Sequence, residues 1–390
     1  MSTKPSSKPS NRPDVLLLAV ALALTLLGLV TILSASGYVA QQNLHDGAYF
    51  FKRQAAWAGL GLIAMGIGAT ARLDWVKRLI RPAVIGTTLL LLATHLPGIG
   101  VNIKGANRWL HIGPMSLQPS EPAKLVLILF AALVLSHPSY RQLNWKERLE
   151  VLVPGAGLVI LVLIQPDLGT AMVMSWGLLA VYIAAGLSWV KLGGLLSAAT
   201  VGILLMASQI PYQKARLVAY MDPWSDARGI GFHLVQSLLA IGSGGIFGEG
   251  IGQSMQKLFY LPEGHTDFIF AVFAEETGLV GTIGLLILLS LFASRGFRIA
   301  RKARDPFAKL LASGLTGMIV GQALLNISVV TASVPTTGIP LPFISFGGSS
   351  LCLNLLCVGL LLNISRHQSP RLALVAKEPL AHKPAAGPVK

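Results

Sequence analysis

Between Tyr260 and Phe270 the chain reads YLPEGHTDFIF, which sets Glu263, His265 and Asp267 within five residues, immediately before a long apolar run. Groups of these types at this spacing suit proton transfer, because one of them can take a proton from a hydroxyl while its neighbours orient it. Asp267 also suits a helix start, where a carboxylate caps free backbone N–H groups, and both readings stay open. Glu275 and Glu276 follow about two turns into the apolar run, too deep for solvated surface, and are expected to pair with buried cations or hydroxyls.

Three further clusters put polar chemistry where apolar sequence surrounds it. KGANRWLHIGPMSLQPSEPAK, from Lys104 to Lys124, carries Arg108, Trp109, Gln118, Glu121 and Lys124 to the mouth of an apolar segment. Glu121 and Lys124 stand three apart, so a simple intrahelical ion pair competes with any role toward a ligand. QPDLGT, residues 165–170, is a sharp turn in which Asp167 either caps the next helix or faces the site. GSGGIFGEGIG, residues 242–252, lets backbone approach a ligand or another helix closely. No strand precedes it and its spacing fits neither nucleotide-binding fingerprint, so it is weak as a phosphate loop.

The elements that must hold these groups are set by composition. Of 390 residues, 53% are hydrophobic and 12% charged, and the mean hydropathy is +0.66. That balance lacks the polar surface of a soluble protein and predicts an all-α integral membrane protein. Apolar stretches of spanning length fall near 14–36, 54–71, 80–98, 121–137, 149–165, 168–186, 189–208, 268–294, 307–330 and 348–365, about ten transmembrane helices. Pro82 and Pro154 interrupt the third and fifth. The net charge of +15 reflects basic residues shared among short loops on one face. This places both termini in the cytoplasm by the positive-inside rule and excludes a nucleic-acid groove.

Residues 1–13 and 367–390 read as disordered cytoplasmic tails around one polytopic domain, 14–366. The exception to its compactness is a loop at about 209–267, placed outside the cytoplasm between helices 7 and 8. It is charged, yet it contains apolar pieces too short to cross, expected as re-entrant or interfacial helices. Cys352 and Cys357 lie in the last apolar run on different helix faces and predict neither a disulfide nor a metal site.

Taken together, the blocks GANRWL…QPSE..K, QPDLGT, DPWSD..G.G, YLPEGHTDFIFA..AEE.GL.G and PTTGIPLPFISFGGSS, in this order from about Val15 to Arg366, resemble the SEDS family of peptidoglycan glycan-strand polymerases. GIGQSMQKLFYLPE and DGAYFFKRQ are similar to its FtsW/SpoVE branch more than to its RodA branch.

The resemblance implies an inverting glycosyltransferase that joins lipid II units at the outer face of the bacterial cytoplasmic membrane and releases undecaprenyl pyrophosphate. It implies Asp267 as catalytic base. Glu263 and His265 would orient Asp267 or hold the acceptor. Arg108, Lys104, Lys124, Arg216 and Lys257 are candidates for headgroup or pyrophosphate contact, with Glu121 and Asp167 in support, although outer cations also snorkel to phospholipid heads. A divalent cation, Mg or Mn, on the pyrophosphate is an expectation without assigned ligands. The implied partners are a class B penicillin-binding protein transpeptidase, other division proteins and membrane lipid. A lipid II flippase is the competing reading, and it would gather ionisable groups at the bilayer centre.

Overall fold

The computed structural model describes residues 12–96, 100–103, 106–112, 115–186, 194, 211–229, 231–255 and 264–367. Most of the two predicted tails, the seventh predicted span at 189–208, and Lys104, Lys257 and Glu263 lie outside the described residues.

Nine of the apolar stretches form long helices where the sequence places them. Helix α1 (Val15–Leu44) starts at Asp14, whose carboxylate accepts the Leu17 N–H. It is followed by α2 (Tyr49–Thr70), α3 (Leu73–Ala93), α4 (Ser120–Ser136), α5 (Trp145–Ile164) and α6 (Leu168–Ala184). Helices α3 and α5 run through Pro82 and Pro154 without ending, as membrane helices do when neighbours satisfy the freed carbonyls. Two short helices, α7 (Pro211–Met221) and α8 (Phe232–Ser243), occupy the long loop, as expected of pieces too short to cross. Then come α9 (Ile269–Lys302), α10 (Pro306–Val330) and α11 (Gly348–Arg366). Helices α1, α9, α10 and α11 are long and apolar enough to cross a bilayer by length and composition alone.

One segment departs from an all-helical reading. Strands β1 (Gly100–Ile103), β2 (Ala106–Ile112) and β3 (Met115–Leu117) form a three-stranded antiparallel sheet, with Val101 opposite Trp109 and Leu110 opposite Leu117. The segment lies outside the spanning stretches, where the backbone has no helix to satisfy it, and hairpin pairing supplies those hydrogen bonds instead. It carries the chain from the end of α3 to the start of α4.

The apolar interior is wrapped in an apolar surface, unlike that of a soluble protein, and it also encloses polar side chains. Large side chains such as Ile63, Ile67, Ile85 and Leu89 are exposed, while Gln54, Glu121, Lys124, Gln322, Asn326 and Asn354 are buried. Burial of apolar area cannot drive helix association in lipid, so close backbone contact and polar bonds do. Helices α2 and α11 illustrate both. A side chain on Gly68 would collide with the Leu356 carbonyl and one on Gly359 with Met65, while Asn363 Nδ2 donates to the Gly68 and Ala71 carbonyls at 3.1 and 2.6 Å. At the same end of the bundle, Arg295 of α9 grips Asp14 at 2.6 Å and Lys77 of α3 pairs with Asp305 at 2.7 Å. The opposite end, where α9 and α11 begin, holds the residues singled out above.

Candidate active site at the start of helix α9

The turn Gly264–Phe268 leads into α9, and Asp267 sits in it half-buried. The helix begins at Phe268 with no side-chain cap. What holds the turn comes from α10. Asn326, 1% exposed, donates from Nδ2 to the Asp267 carbonyl and to the Ile339 carbonyl, both at 2.7 Å. One turn earlier, Gln322 donates to the Pro340 carbonyl at 2.9 Å and accepts from Lys124 Nζ at 2.8 Å. Residues four apart share a helix face, so this polar stripe fixes the Asp267 turn, the 335–347 loop and α4 together.

That loop forms the roof of the site. Ser345 Oγ donates to the Thr266 carbonyl at 2.6 Å and accepts from Leu341 N–H at 2.7 Å. The Phe346 N–H donates to the His265 carbonyl at 3.0 Å. Gln54 of α2 bonds the same strip twice, donating to Ser345 O at 3.2 Å and accepting from Gly347 N at 3.2 Å. Directly over the carboxylate stands Gly338, with φ +73°, and a Cβ built there would lie 3.4 Å from Asp267 Oδ2. The left-handed backbone is what favours glycine here, since a Cβ would make only an ordinary contact with the carboxylate. The His265 ring packs against Phe50 at 4.6 Å and Phe346 at 5.9 Å between centroids, tying the acid–base turn to α2 and the roof.

A second cluster borders the first. Asp167 caps α6 by accepting from Thr170 N at 3.2 Å and Thr170 Oγ1 at 2.8 Å, and it also receives Gln118 Nε2 at 3.3 Å and Ser120 Oγ at 3.4 Å. Arg108 lies 3.9 Å from it and donates to the Gln165 and Pro166 carbonyls at 3.0 and 2.6 Å. The planar guanidinium thus ties β2 to the α5–α6 turn. A side chain on Gly169 would strike Ile339 and the Thr337 carbonyl, so this turn abuts the roof.

Of the predicted site residues, Asp267, His265, Glu121, Lys124, Arg108, Asp167 and Arg216 all gather at this end. Lys124 is 2% exposed and pairs with Glu121 at 2.9 Å, the ion pair that their spacing allowed. Arg216 of α7 donates to the Thr336 carbonyl at 3.0 Å and so reaches the roof. Gln54, Gln322, Asn326 and Ser345 were not singled out from sequence. A signal for the amides was present, since polar side chains inside otherwise apolar spans need partners there.

The glycine-rich stretch has its own structural task. Helix α9 is broken at Gly278, φ 63°, ψ −163°. The backbone groups freed there bond to the 244–252 loop, with Glu249 N donating to Glu275 O at 3.0 Å and Gly250 N to Glu276 O at 3.1 Å. In return, Leu279 N donates to Gly245 O at 3.0 Å and Val280 N to Ile246 O at 3.1 Å. The buried Glu275 carboxylate accepts from Ser254 Oγ and from Met255 N, while Glu276 accepts from Ser34 of α1 at 2.5 Å. Both glutamates meet hydroxyls, as their depth required. Among the described residues, no three His, Cys, Asp or Glu side chains converge as a metal cage.

Comparison with known proteins converges on one group. The chain is 42% identical to stage V sporulation protein E of Bacillus subtilis over 94% of its own length and 99% of that protein's. It is 39% identical to a probable peptidoglycan glycosyltransferase FtsW of Geobacter metallireducens, covering 94% and 98% of the two chains. Among solved structures it superposes on a chain of a peptidoglycan synthase complex, described as coordinating polymerization and crosslinking, with TM-score 0.73, 31% identity and coverage of 92% and 99%. It also superposes on the rod shape determining protein RodA of Thermus thermophilus, with TM-score 0.67, 31% identity and coverage of 92% and 98%. The profile of the FtsW/RodA/SpoVE cell cycle proteins matches residues 14–370, and the chain, a multi-pass membrane protein, belongs to that family.

Proposed function

We propose that the chain is a peptidoglycan glycosyltransferase of cell division that polymerises lipid II at the outer face of the bacterial cytoplasmic membrane, with both termini in the cytoplasm. The observation that carries this reading is the Asp267 carboxylate, half-buried under the Gly338 roof while its backbone is held by buried Asn326. A fixed carboxylate at the membrane end of an apolar helix can reach a sugar headgroup whose lipid tail stays in the bilayer.

Asp267 acts as general base on the acceptor sugar hydroxyl. As the proton moves to the carboxylate, the oxygen attacks the anomeric carbon of the donor from the face opposite its pyrophosphate, inverting that centre. Pyrophosphate leaves without needing a strong proton donor, so cationic side chains suffice to stabilise it. Arg216, Lys104 and Lys257 are assigned that role. Arg108 holds the α5–α6 turn through the Gln165 and Pro166 carbonyls, and Lys124, buried in its pair with Glu121, positions α4 against Gln322. His265, packed against Phe50, orients the acceptor side together with Glu263. A divalent cation bound to the substrate pyrophosphate would neutralise part of its charge. A class B penicillin-binding protein is the proposed partner, consistent with the synthase complex that the chain superposes on.

The deciding experiment supplies purified protein and its transpeptidase partner with lipid II. Wild type is expected to form glycan polymer, and Asp267→Ala to form none while keeping the wild-type thermal unfolding profile. Polymer from the Ala variant at the wild-type rate removes Asp267 as base. Wild-type protein that moves lipid II across vesicles without joining it replaces polymerisation with transport.

A further inference from the structure

Helix α9 starts without a side-chain cap, so the direction of its first turn rests on what packs against it. Asn326 and Ser345 fix the preceding turn from the α10 and roof sides, through the Asp267 and Thr266 carbonyls. The next residue, Phe268, opens the helix. Phe268 is 6% exposed, and its ring lies nearly parallel to the His233 ring of α8, at 16° between planes and 5.7 Å between centroids.

His233 belongs to a firmly held piece. Four residues on, on the same face of α8, Ser237 is fully buried and donates to the Val330 carbonyl at 2.7 Å. Val330 stands one turn beyond Asn326, so one face of α10 holds both α8 and the Asp267 turn. At its other end α8 runs into the glycine-rich loop, which is bonded to α9 across the break at Gly278. Gly244, between the two, presses on the Ala274 carbonyl and leaves no room for a Cβ. The buried residues 269–276 are therefore gripped by α8 and its loop at both ends, and the His233 ring supplies the grip beside Asp267.

We propose that His233 is a positioning residue for the Asp267 base, acting through its stack on Phe268. The Asp267 and Phe268 α-carbons are joined by one planar peptide, so a tilt of Phe268 swings the carboxylate with it. A pair of flat rings resists that tilt, because aromatic pairs keep a preferred geometry beyond the area they bury. A displacement of about 1 Å at a reacting group costs on the order of a hundredfold in rate, so His233 acts on the reaction without touching substrate. Were the stack plain core packing, its loss would lower the unfolding midpoint and leave the turnover of folded protein unchanged.

The inference rests on the glycosyltransferase reading, so one arm of its test needs no turnover. The Ala271 N–H donates to the Phe268 carbonyl at 2.9 Å. Its hydrogen exchange in the purified full chain is expected to rise roughly tenfold in His233→Ala. In the lipid II assay with the transpeptidase, the same variant is expected to lose kcat by roughly tenfold or more, with KM within about twofold of wild type. His233→Phe keeps a flat ring against Phe268 and should recover most of the lost kcat. Phe268→Leu should produce a similar fall, and His233→Ala combined with Phe268→Leu no further one, because both remove the same contact. The inference is overturned if Ala271 exchange in His233→Ala matches wild type, if the two single losses multiply in the double variant, or if His233→Phe is as slow as His233→Ala. A change confined to KM or to the unfolding midpoint also overturns it. Wild-type protein that forms no polymer removes the glycosyltransferase reading instead, and the exchange arm then decides the stack.

Discussion

Asp267, the proposed base, illustrates how little of a residue's setting its own neighbours supply. Its backbone position comes from Asn326, fifty-nine residues away. Asn326→Leu keeps the volume but strips a hydrogen bond from the Asp267 and Ile339 carbonyls, at roughly 1–3 kcal/mol for each buried group left unpaired. The expected result is a fall in polymerisation rate at saturating lipid II, with the variant still folded, measured as kcat against KM. The Glu121–Lys124 pair is a different case. Removing one partner leaves a buried charge, so Lys124→Met alone should cost about 3–5 kcal/mol of stability. Glu121→Leu combined with Lys124→Met should recover most of it, and thermal unfolding of the two single variants and the double variant checks the prediction.

At the scale of elements, the break in α9 and the glycine-rich loop are one device. A helix interrupted within an apolar run exposes carbonyls and N–H groups that lipid cannot satisfy. The 244–252 loop supplies their partners, with four backbone bonds crossing between loop and helix. The backbone at Gly278 lies in a region that only glycine occupies without strain, and a side chain there would collide with Gly248 N. Gly278→Ala is therefore expected to cost at least the 1–3 kcal/mol of such strain and to detach the loop. Hydrogen exchange at Glu249, Gly250, Leu279 and Val280 should rise together, and unchanged protection there would separate loop from helix.

For the molecule as a whole, the proposal requires a sided arrangement. Asp267, the roof and the long loop must face away from the cytoplasm, and the Arg295–Asp14 and Lys77–Asp305 pairs must face it. In a Cys352→Ser, Cys357→Ala background, Ser225→Cys should react with a membrane-impermeant maleimide in intact cells, and Arg72→Cys only after permeabilisation. Both positions are exposed, so burial does not confound the reading. Labelling in the reverse order would put Asp267 out of reach of an exported lipid-linked sugar and dissolve the mechanism.

Several features were legible without coordinates because their cause is local. Spanning helices follow from runs of apolar residues matched to bilayer thickness, and nine of them stand where hydropathy put them. The acid–base turn before α9, the Asp167 cap and the spacing of Glu121 and Lys124 are likewise short-range facts. What hydropathy missed was the β-sheet at 100–117, where backbone pairing outside the spans, not side-chain polarity, decides the structure. Tertiary packing alone decided which polar groups meet: Asn326 with the Asp267 turn, Gln54 with the roof, Gln322 with Lys124, and the glycine loop with the α9 break. Each of those bonds joins segments far apart in the chain. In lipid, a buried polar group takes whichever partner the helix arrangement brings near, and no local pattern names that partner.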